Sequence, residues 1–190
     1  MREKILSAAE RAIGSMGNDF TMDQLATAVG ISKRTLYEHF RDKEEIVALI
    51  VLSQLRDIIH QVHNITNDDR VSIRECLCKC ITLQPRSYPL ITLSVKGKLL
   101  QKYPNVHEQV KTVVQEYWQE LEQYLQKQRQ AGTIKQVSVH TVILLLQTIL
   151  HDHVHRKVIN HECLDEKEIV EMLEVILVGL LHDAEGEGNK

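Results

Sequence analysis

Apolar residues recur every three or four positions along most of the chain, and this spacing predicts a protein built from α-helices. Between residues 4 and 16 they lie on one helical face, and Gly17 then favours a helix end. The last two predicted helices, about 138–160 and 165–183, are apolar over more surface than a small bundle needs to bury. The pattern predicts an all-α fold of about nine helices and a subunit interface at the last two.

The apolar segments are too short for a membrane helix. The longest uninterrupted run, Ile46 to Leu52, has seven residues, whereas a membrane span needs about 20. The N-terminus also lacks the long apolar stretch of a secretion signal. We therefore expect a cytoplasmic protein with no membrane partner.

The segment from Thr21 to Lys43 fits two short helices joined at Gly30, with a third helix directly behind. A residue that favours helix N-termini precedes each helix, and these three residues are Thr21, Ser32 and Asp42. A Gln follows the first and a Glu the last at the three-residue spacing of a capping box. Helix, tight turn and helix at this spacing indicate a helix-turn-helix, whose second helix enters the major groove of DNA.

The charge distribution agrees with a local DNA-binding surface. The chain has a net charge of −3 and a pI of about 6.4. Residues 32–43, however, contain four basic side chains against two acidic ones. A compact DNA-binding module needs only a local basic patch, so an acidic total does not exclude this function.

From Ile5 to about Leu49 the chain resembles the tetracycline-repressor (TetR) family of bacterial transcriptional regulators. The resemblance rests on the string FTMDQLATAVGISKRTLYEHFRDKEEI, which is specific as a whole. It implies an N-terminal three-helix helix-turn-helix domain, residues 1–45, and a C-terminal helical bundle for ligand binding and dimerisation, residues 46–190. It also implies a homodimer, formed through the last two helices, that binds a near-palindromic operator and leaves it when a small effector binds. No catalysis and no cofactor are implied.

The resemblance places DNA contacts at and beside the second helix of the motif. Lys33, Arg34 and Thr35, at the start of that helix, are candidates for base edges, and arginine suits guanine O6 and N7. Tyr37 and Lys43 match phosphate-binding positions, and His39 matches a DNA-contact position but is also suited to packing. The full predicted set is Thr21, Ser32, Lys33, Arg34, Thr35, Tyr37, His39 and Lys43.

The effector site is harder to predict, because pockets are mostly apolar with a few polar groups. Thiol and aromatic side chains of the second domain are the candidates, and each is equally suited to a structural core: Cys76, Cys80, Tyr88, Tyr103, Tyr117 and Trp118. The cysteines lack CxxC spacing, and nothing in the sequence indicates an activated thiolate.

A histidine-rich segment, residues 151–163, suggests an alternative function. His151 and His155 would share one helical face and form a chelating pair. The chain has no HExxH motif, so the zinc-protease signature is missing. The alternative is an all-α protein that binds or senses metal, or responds to redox changes, through this segment.

Overall fold

The computed structural model of the chain describes residues 1–16, 19–83, 102–159 and 166–181, and does not describe the side chains of 14–16, 152–159 and 166. These residues form eight α-helices and no strand. The helices are α1 (Arg2–Met16), α2 (Met22–Val29), α3 (Lys33–His39), α4 (Lys43–Thr66), α5 (Ile73–Thr82), α6 (Pro104–Gln130), α7 (Val139–Ile159) and α8 (Glu166–Leu180). The predicted all-α fold is confirmed, and residues 84–101, between α5 and α6, lie outside the described residues.

The first of two compact units contains α1, α2, α3 and the first parts of α4 and α6. Helix α2 packs against both α1 and α3. The apolar face predicted for α1 is buried, with Ile5 and Ala9 fully inaccessible and Ile13 nearly so. Phe20 and Leu25 add to this core, so the short helices α2 and α3 are held by packing rather than by their intrinsic propensity.

The turn between α2 and α3 has the predicted local geometry. Thr21 and Gln24 form a complete capping box at the start of α2. Gly30 adopts a left-handed conformation with φ 75°. The N–H groups of Gly30 and Ile31 donate to the carbonyls of Thr27 and Ala26 at 3.1 and 3.0 Å, which is the Schellman arrangement that ends a helix.

The predicted capping box at α4 is only partly formed. The Glu45 N–H donates to Asp42 Oδ1 at 2.8 Å, as predicted for an N-cap. The Glu45 carboxylate, however, accepts from the N–H of Arg41 at 2.8 Å, one residue before the predicted donor. Arg2 holds the other oxygen of the same carboxylate at 2.9 Å, and this contact draws Glu45 away from the reciprocal geometry.

The second unit contains the end of α4, helix α5, the remainder of α6, and helices α7 and α8. Helix α8 packs against α5 and α7, and Arg74 forms an ion pair with Glu174. Gly132 ends α6 with φ 74°. An isolated bridge between Ile134 and Leu181 then attaches the following loop to the end of α8.

Helix α4 runs from Lys43 to Thr66. Its last turn is stabilised by side chains, because Thr66 donates to the His63 carbonyl and to the Glu120 carboxylate, each at 3.1 Å. Among the described helices α4 is the one long and apolar enough to cross a membrane. Its inward positions, including Val47 and Val51, are buried within the protein, which identifies α4 as a core helix.

Candidate nucleic-acid interface

Helix α3 is anchored on one side and open on the other. Leu36 is fully buried, and Phe40, directly after the helix, is 1% exposed. Lys33, Arg34 and Tyr37 are exposed on the opposite side. Helix α3 therefore presents basic and hydroxyl groups on a surface fixed by two apolar anchors, which suits insertion into a DNA groove.

The N-terminus of α3 is capped by its own hydroxyl pair. Ser32 Oγ accepts from the Thr35 N–H at 3.0 Å and lies 2.8 Å from Thr35 Oγ1. Both hydroxyls thus already have a hydrogen-bond partner within the protein. Any DNA contact by Ser32 or Thr35 has to share or replace that bond.

The exposed basic residues of the motif are paired with carboxylates. Lys33 Nζ lies 2.8 Å from Asp23 on α2, and the hydrogen bond and charge of Asp23 raise the lysine pKa. Arg34 pairs with Glu38 at 3.4 Å, and Arg41 pairs with the residue that follows it, Asp42, at 2.8 Å. These pairs are exposed and individually weak, so a phosphate or base edge can compete for each cation.

Lys43 occupies a more enclosed position than the other basic side chains of the motif. Its ammonium donates to the Phe20 carbonyl oxygen and lies 4.0 Å from the centre of the Phe20 ring. Partial burial lowers its pKa, and the nearby Lys102 lowers it further. Lys43 therefore attaches the start of α4 to the residues before α2, and in this arrangement its charge points to Phe20.

Arg2 connects the first helix to the end of α3. Its guanidinium donates to the His39 carbonyl at 2.9 Å and to Glu45 Oε1 at 2.9 Å. It also stacks 4.4 Å from the centre of the Phe40 ring. A cation at the C-terminal end of a helix satisfies carbonyls that have no helical partner. The sequence alone did not indicate this role of Arg2, because no local spacing links residues 2 and 39.

A cleft of about 290 Å³ lies between the starts of α4 and α6, within the first unit. Glu45 lines it, together with Arg41 and Ala48 from the same side and Val106 from α6. Glu45 is also the carboxylate that holds Arg2. Glu45 therefore both lines this cleft and holds the Arg2 side chain that binds the end of α3.

The predicted effector residues are distributed between the two units. Cys76, Cys80 and Tyr117 are buried together in the second unit, where the Tyr117 hydroxyl donates to the Cys80 carbonyl at 2.9 Å. Trp118 meets Tyr117 edge-on, with ring centres 4.8 Å apart. Tyr103 is buried in the first unit. Tyr88 lies outside the described residues.

The histidine-rich alternative gains no support from the described part of the chain. His151 is exposed on α7. The side chain of His155 and residues 160–165 lie outside the description. Among the described residues, no group of three or more His, Cys, Asp or Glu side chains is arranged to hold a metal ion.

The chain is similar to known proteins in both sequence and fold. Residues 5–50 match the model of the bacterial regulatory proteins of the tetR family. The HTH-type transcriptional regulator YvaF of Bacillus subtilis (strain 168) is 22% identical over 191 residues, covering 98% of this chain and 99% of the relative.

Two solved structures show the same fold. The TetR family transcriptional regulator PfmR from Thermus thermophilus has a TM-score of 0.71 at 21% identity, covering 92% of this chain and 97% of its own. The transcriptional regulator FadR from Bacillus subtilis, solved in complex with stearoyl-CoA, has a TM-score of 0.73 at 19% identity, covering 94% of this chain and 99% of its own.

Proposed function

We propose that this chain, whose residues 5–50 match the tetR family of bacterial regulatory proteins, is a cytoplasmic, dimeric repressor that a small molecule releases from its operator. The observation that carries this proposal is the exposed face of α3. It is capped by Ser32, anchored by Leu36 and supported at its end by Arg2.

In this proposal α3 is the recognition helix. Arg34 reads a base edge, since its side chain is 90% exposed and its pair with Glu38 is long. Lys33 and Thr35 contact neighbouring bases or phosphates after exchanging their partners in the protein. Tyr37 and His39 lie further along the helix and contact the sugar-phosphate backbone of the DNA. The N-terminus of α2, at Thr21, adds N–H donors for a phosphate.

Lys43 acts in this proposal as a phosphate ligand that leaves Phe20 when DNA arrives. Its ammonium donates to the Phe20 carbonyl and lies against the Phe20 ring, and the charge of Asp19 also acts on it. A phosphate offers a full negative charge, whereas the Phe20 carbonyl offers only a dipole, which favours replacing that hydrogen bond with one to a phosphate.

We propose that α7 and α8 form the dimer interface. Among the described side chains of these two helices, four large apolar ones are exposed, namely Leu144, Leu145, Val175 and Val178, at 47, 49, 76 and 67%. Burying such a patch against a second copy removes apolar surface from water. Dimerisation also supplies the two recognition helices that a near-palindromic operator requires, about 34–36 Å apart.

The effector is proposed to act on the distance between the two recognition helices. A ligand that binds the DNA-incompetent form better by about 1–3 kcal/mol changes operator affinity roughly 5–150-fold. FadR, a protein of the same fold, was solved with stearoyl-CoA, which makes acyl-CoA thioesters one sensible class to test. Val106 at the start of α6 and Glu45 on α4 line one cleft. A displacement of α6 would therefore move Glu45, which holds the Arg2 side chain that supports the end of α3.

Selection from randomised duplex DNA tests the DNA-binding part of the proposal. We expect a near-palindromic site and a footprint over two successive major grooves. Replacing Arg34 and Lys43 together by Ala should abolish binding. A matched double variant, Lys111→Ala with Lys127→Ala, removes the same charge from α6 and should bind normally. Equal loss in both double variants would sink the proposed placement of the contacts.

A release assay tests the effector part. The selected operator complex is challenged with a panel of compounds, including acyl-CoA thioesters, and release is followed by gel shift. The same assay with and without EDTA distinguishes the proposed repressor from the metal-binding alternative. Binding and release that persist unchanged in EDTA, with no metal in the purified protein by elemental analysis, would exclude metal as the effector.

A further inference from the structure

Two thiols lie side by side inside the second unit. Cys76 and Cys80 are one turn apart on α5, are both free, and are 0 and 1% exposed. Each of the two side chains affects the pKa of the other. Residues four apart on a helix project from the same face, so this helix places the two thiols side by side without any help from a loop.

Helix α6 covers the pair with two phenols. Tyr124 is buried beside Cys76 and affects its pKa, and the Tyr117 hydroxyl donates to the Cys80 backbone carbonyl at 2.9 Å. The charged groups that face the pair are Lys79 on α5 and Glu120 on α6. The result is an enclosed pair of thiols covered by two phenols.

The two thiols are not equivalent. Hydrogen bonding from Cys80, helped by Tyr124 and Lys79, lowers the pKa of Cys76, while the same bond and burial raise the pKa of Cys80. Cys76 is therefore the more acidic thiol of the pair and Cys80 the less acidic one. An electrophile that takes both sulfurs has to remove the Cys80 proton as well.

We propose that Cys76 and Cys80 together bind a monosubstituted trivalent arsenical. With an arsine oxide the step is a condensation: the As=O bond breaks, two As–S bonds form, and both thiol protons leave with the oxygen as one water. Arsenic stays trivalent, so no oxidant or reductant is needed. The adduct is electrically neutral, which suits a site from which water is excluded.

Other thiophilic ligands fit this pair less well. Zinc requires four ligands in a structural site, and the described residues hold no larger cluster of candidate ligands around the pair. A monovalent soft cation held by two thiolates leaves a net negative charge in a buried site, which is costly. A pyramidal arsenic centre, in contrast, accepts two sulfurs that are already side by side.

Cys78 provides the matched control. It lies between the pair in sequence, is half-buried, and projects from a different face of α5 because it is two residues from each partner. Burial raises its pKa. A variant at this position removes one thiol from the same helix while leaving the proposed site intact.

Titration of the reduced full-length protein with phenylarsine oxide tests the proposal. We expect one adduct per chain by intact mass spectrometry and a loss of two titratable thiols. Cys76→Ala and Cys80→Ala should each weaken binding on the order of 10²- to 10⁴-fold, the gain that a second linked contact supplies. Cys78→Ala should bind as the original chain does, and circular dichroism checks that each variant is folded.

Peptide mapping of the unsubstituted protein gives a second readout that needs no variant. After incubation with the arsenical, the protein is unfolded in denaturant and treated with iodoacetamide, which should label Cys78 and leave Cys76 and Cys80 unmodified, whereas without the arsenical all three should be labelled. An adduct that survives in Cys76→Ala or Cys80→Ala, or protection that includes Cys78 or Cys163 in place of the pair, would overturn the proposal. Absence of any adduct in the folded protein would do the same.

Discussion

The Arg2 guanidinium donates a hydrogen bond to the carbonyl oxygen of His39, the last residue of the proposed recognition helix, at 2.9 Å. The same guanidinium binds Glu45 on α4 and stacks on Phe40. One side chain therefore joins α1, the end of α3 and the start of α4. Arg2 is half exposed, so its value lies in fixing the angle of α3 more than in overall stability.

Replacing Arg2 by Ala should weaken operator binding with little change in folding. Loss of a charged hydrogen bond, discounted for exposure, costs about 1 kcal/mol, which corresponds to about fivefold in affinity. Lysine should restore only part of the loss, because it lacks the planar fork that serves two acceptors.

Lys4→Ala is the control for Arg2, since it removes the same charge from an exposed position of the same helix. Affinities measured by fluorescence anisotropy on a labelled operator decide the matter. If Arg2→Ala and Lys4→Ala lose equal affinity, the effect is one of net charge and the positioning role of Arg2 is wrong.

The Asp42 cap should make stability depend on acid. Its pKa is lowered, first by the hydrogen bond from the Glu45 N–H and then by Arg41. The Asp42 carboxylate therefore contributes its full share to the free energy of unfolding at pH values above its unfolded-state pKa of about 3.9. This contribution is lost as the pH falls through the lower pKa of the folded state.

Variants at Asp42 distinguish the stabilising effect of the N-cap hydrogen bond from that of the carboxylate charge. Asp42→Ala should cost about 1 kcal/mol near neutral pH. Asp42→Asn can cap without titrating, so its stability should match that of the parent more closely as the pH falls below about 4. Urea unfolding curves at a series of pH values measure the difference. A gap between parent and Asn variant that widens in acid would contradict this account.

Charge placed on the exposed face of α8 should produce monomers. Val175→Asp puts a carboxylate where the side chain is 76% exposed in the single chain, and burying it in an interface would be costly. We expect a halved mass by light scattering and loss of operator binding. Val114→Asp makes the same change at an exposed valine of α6 and should leave the dimer intact. If the Val175→Asp variant is still a dimer, the interface does not include this face of α8.

The hydroxyl of Tyr117 should stabilise the second unit. It donates to the Cys80 carbonyl, which lies in the last turn of α5. Tyr117→Phe keeps the ring and removes this bond, at a cost of about 0.5–1.5 kcal/mol. Tyr37→Phe removes a hydroxyl from an exposed ring and should not shift the thermal midpoint. A Tyr117→Phe variant as stable as the parent would show that another donor replaces the hydroxyl.

The parts of this domain that could be predicted from sequence are those determined within a few residues. The Thr21 capping box and the Gly30 turn depend on neighbours three to five positions away. The pairing of Lys33 with Asp23 and the stacking of Arg2 on Phe40 join residues ten or more positions apart. Such contacts follow from how helices pack, and no local spacing encodes them.

The paired charges around α3 also bear on how salt dependence should be interpreted. When Lys33 or Arg41 turns to a phosphate, it leaves Asp23 or Asp42 without its partner. Each freed carboxylate then attracts a cation from solution, which offsets one of the cations released from the DNA. Counting phosphate contacts from the slope of affinity against salt will therefore give fewer contacts than the dimer makes.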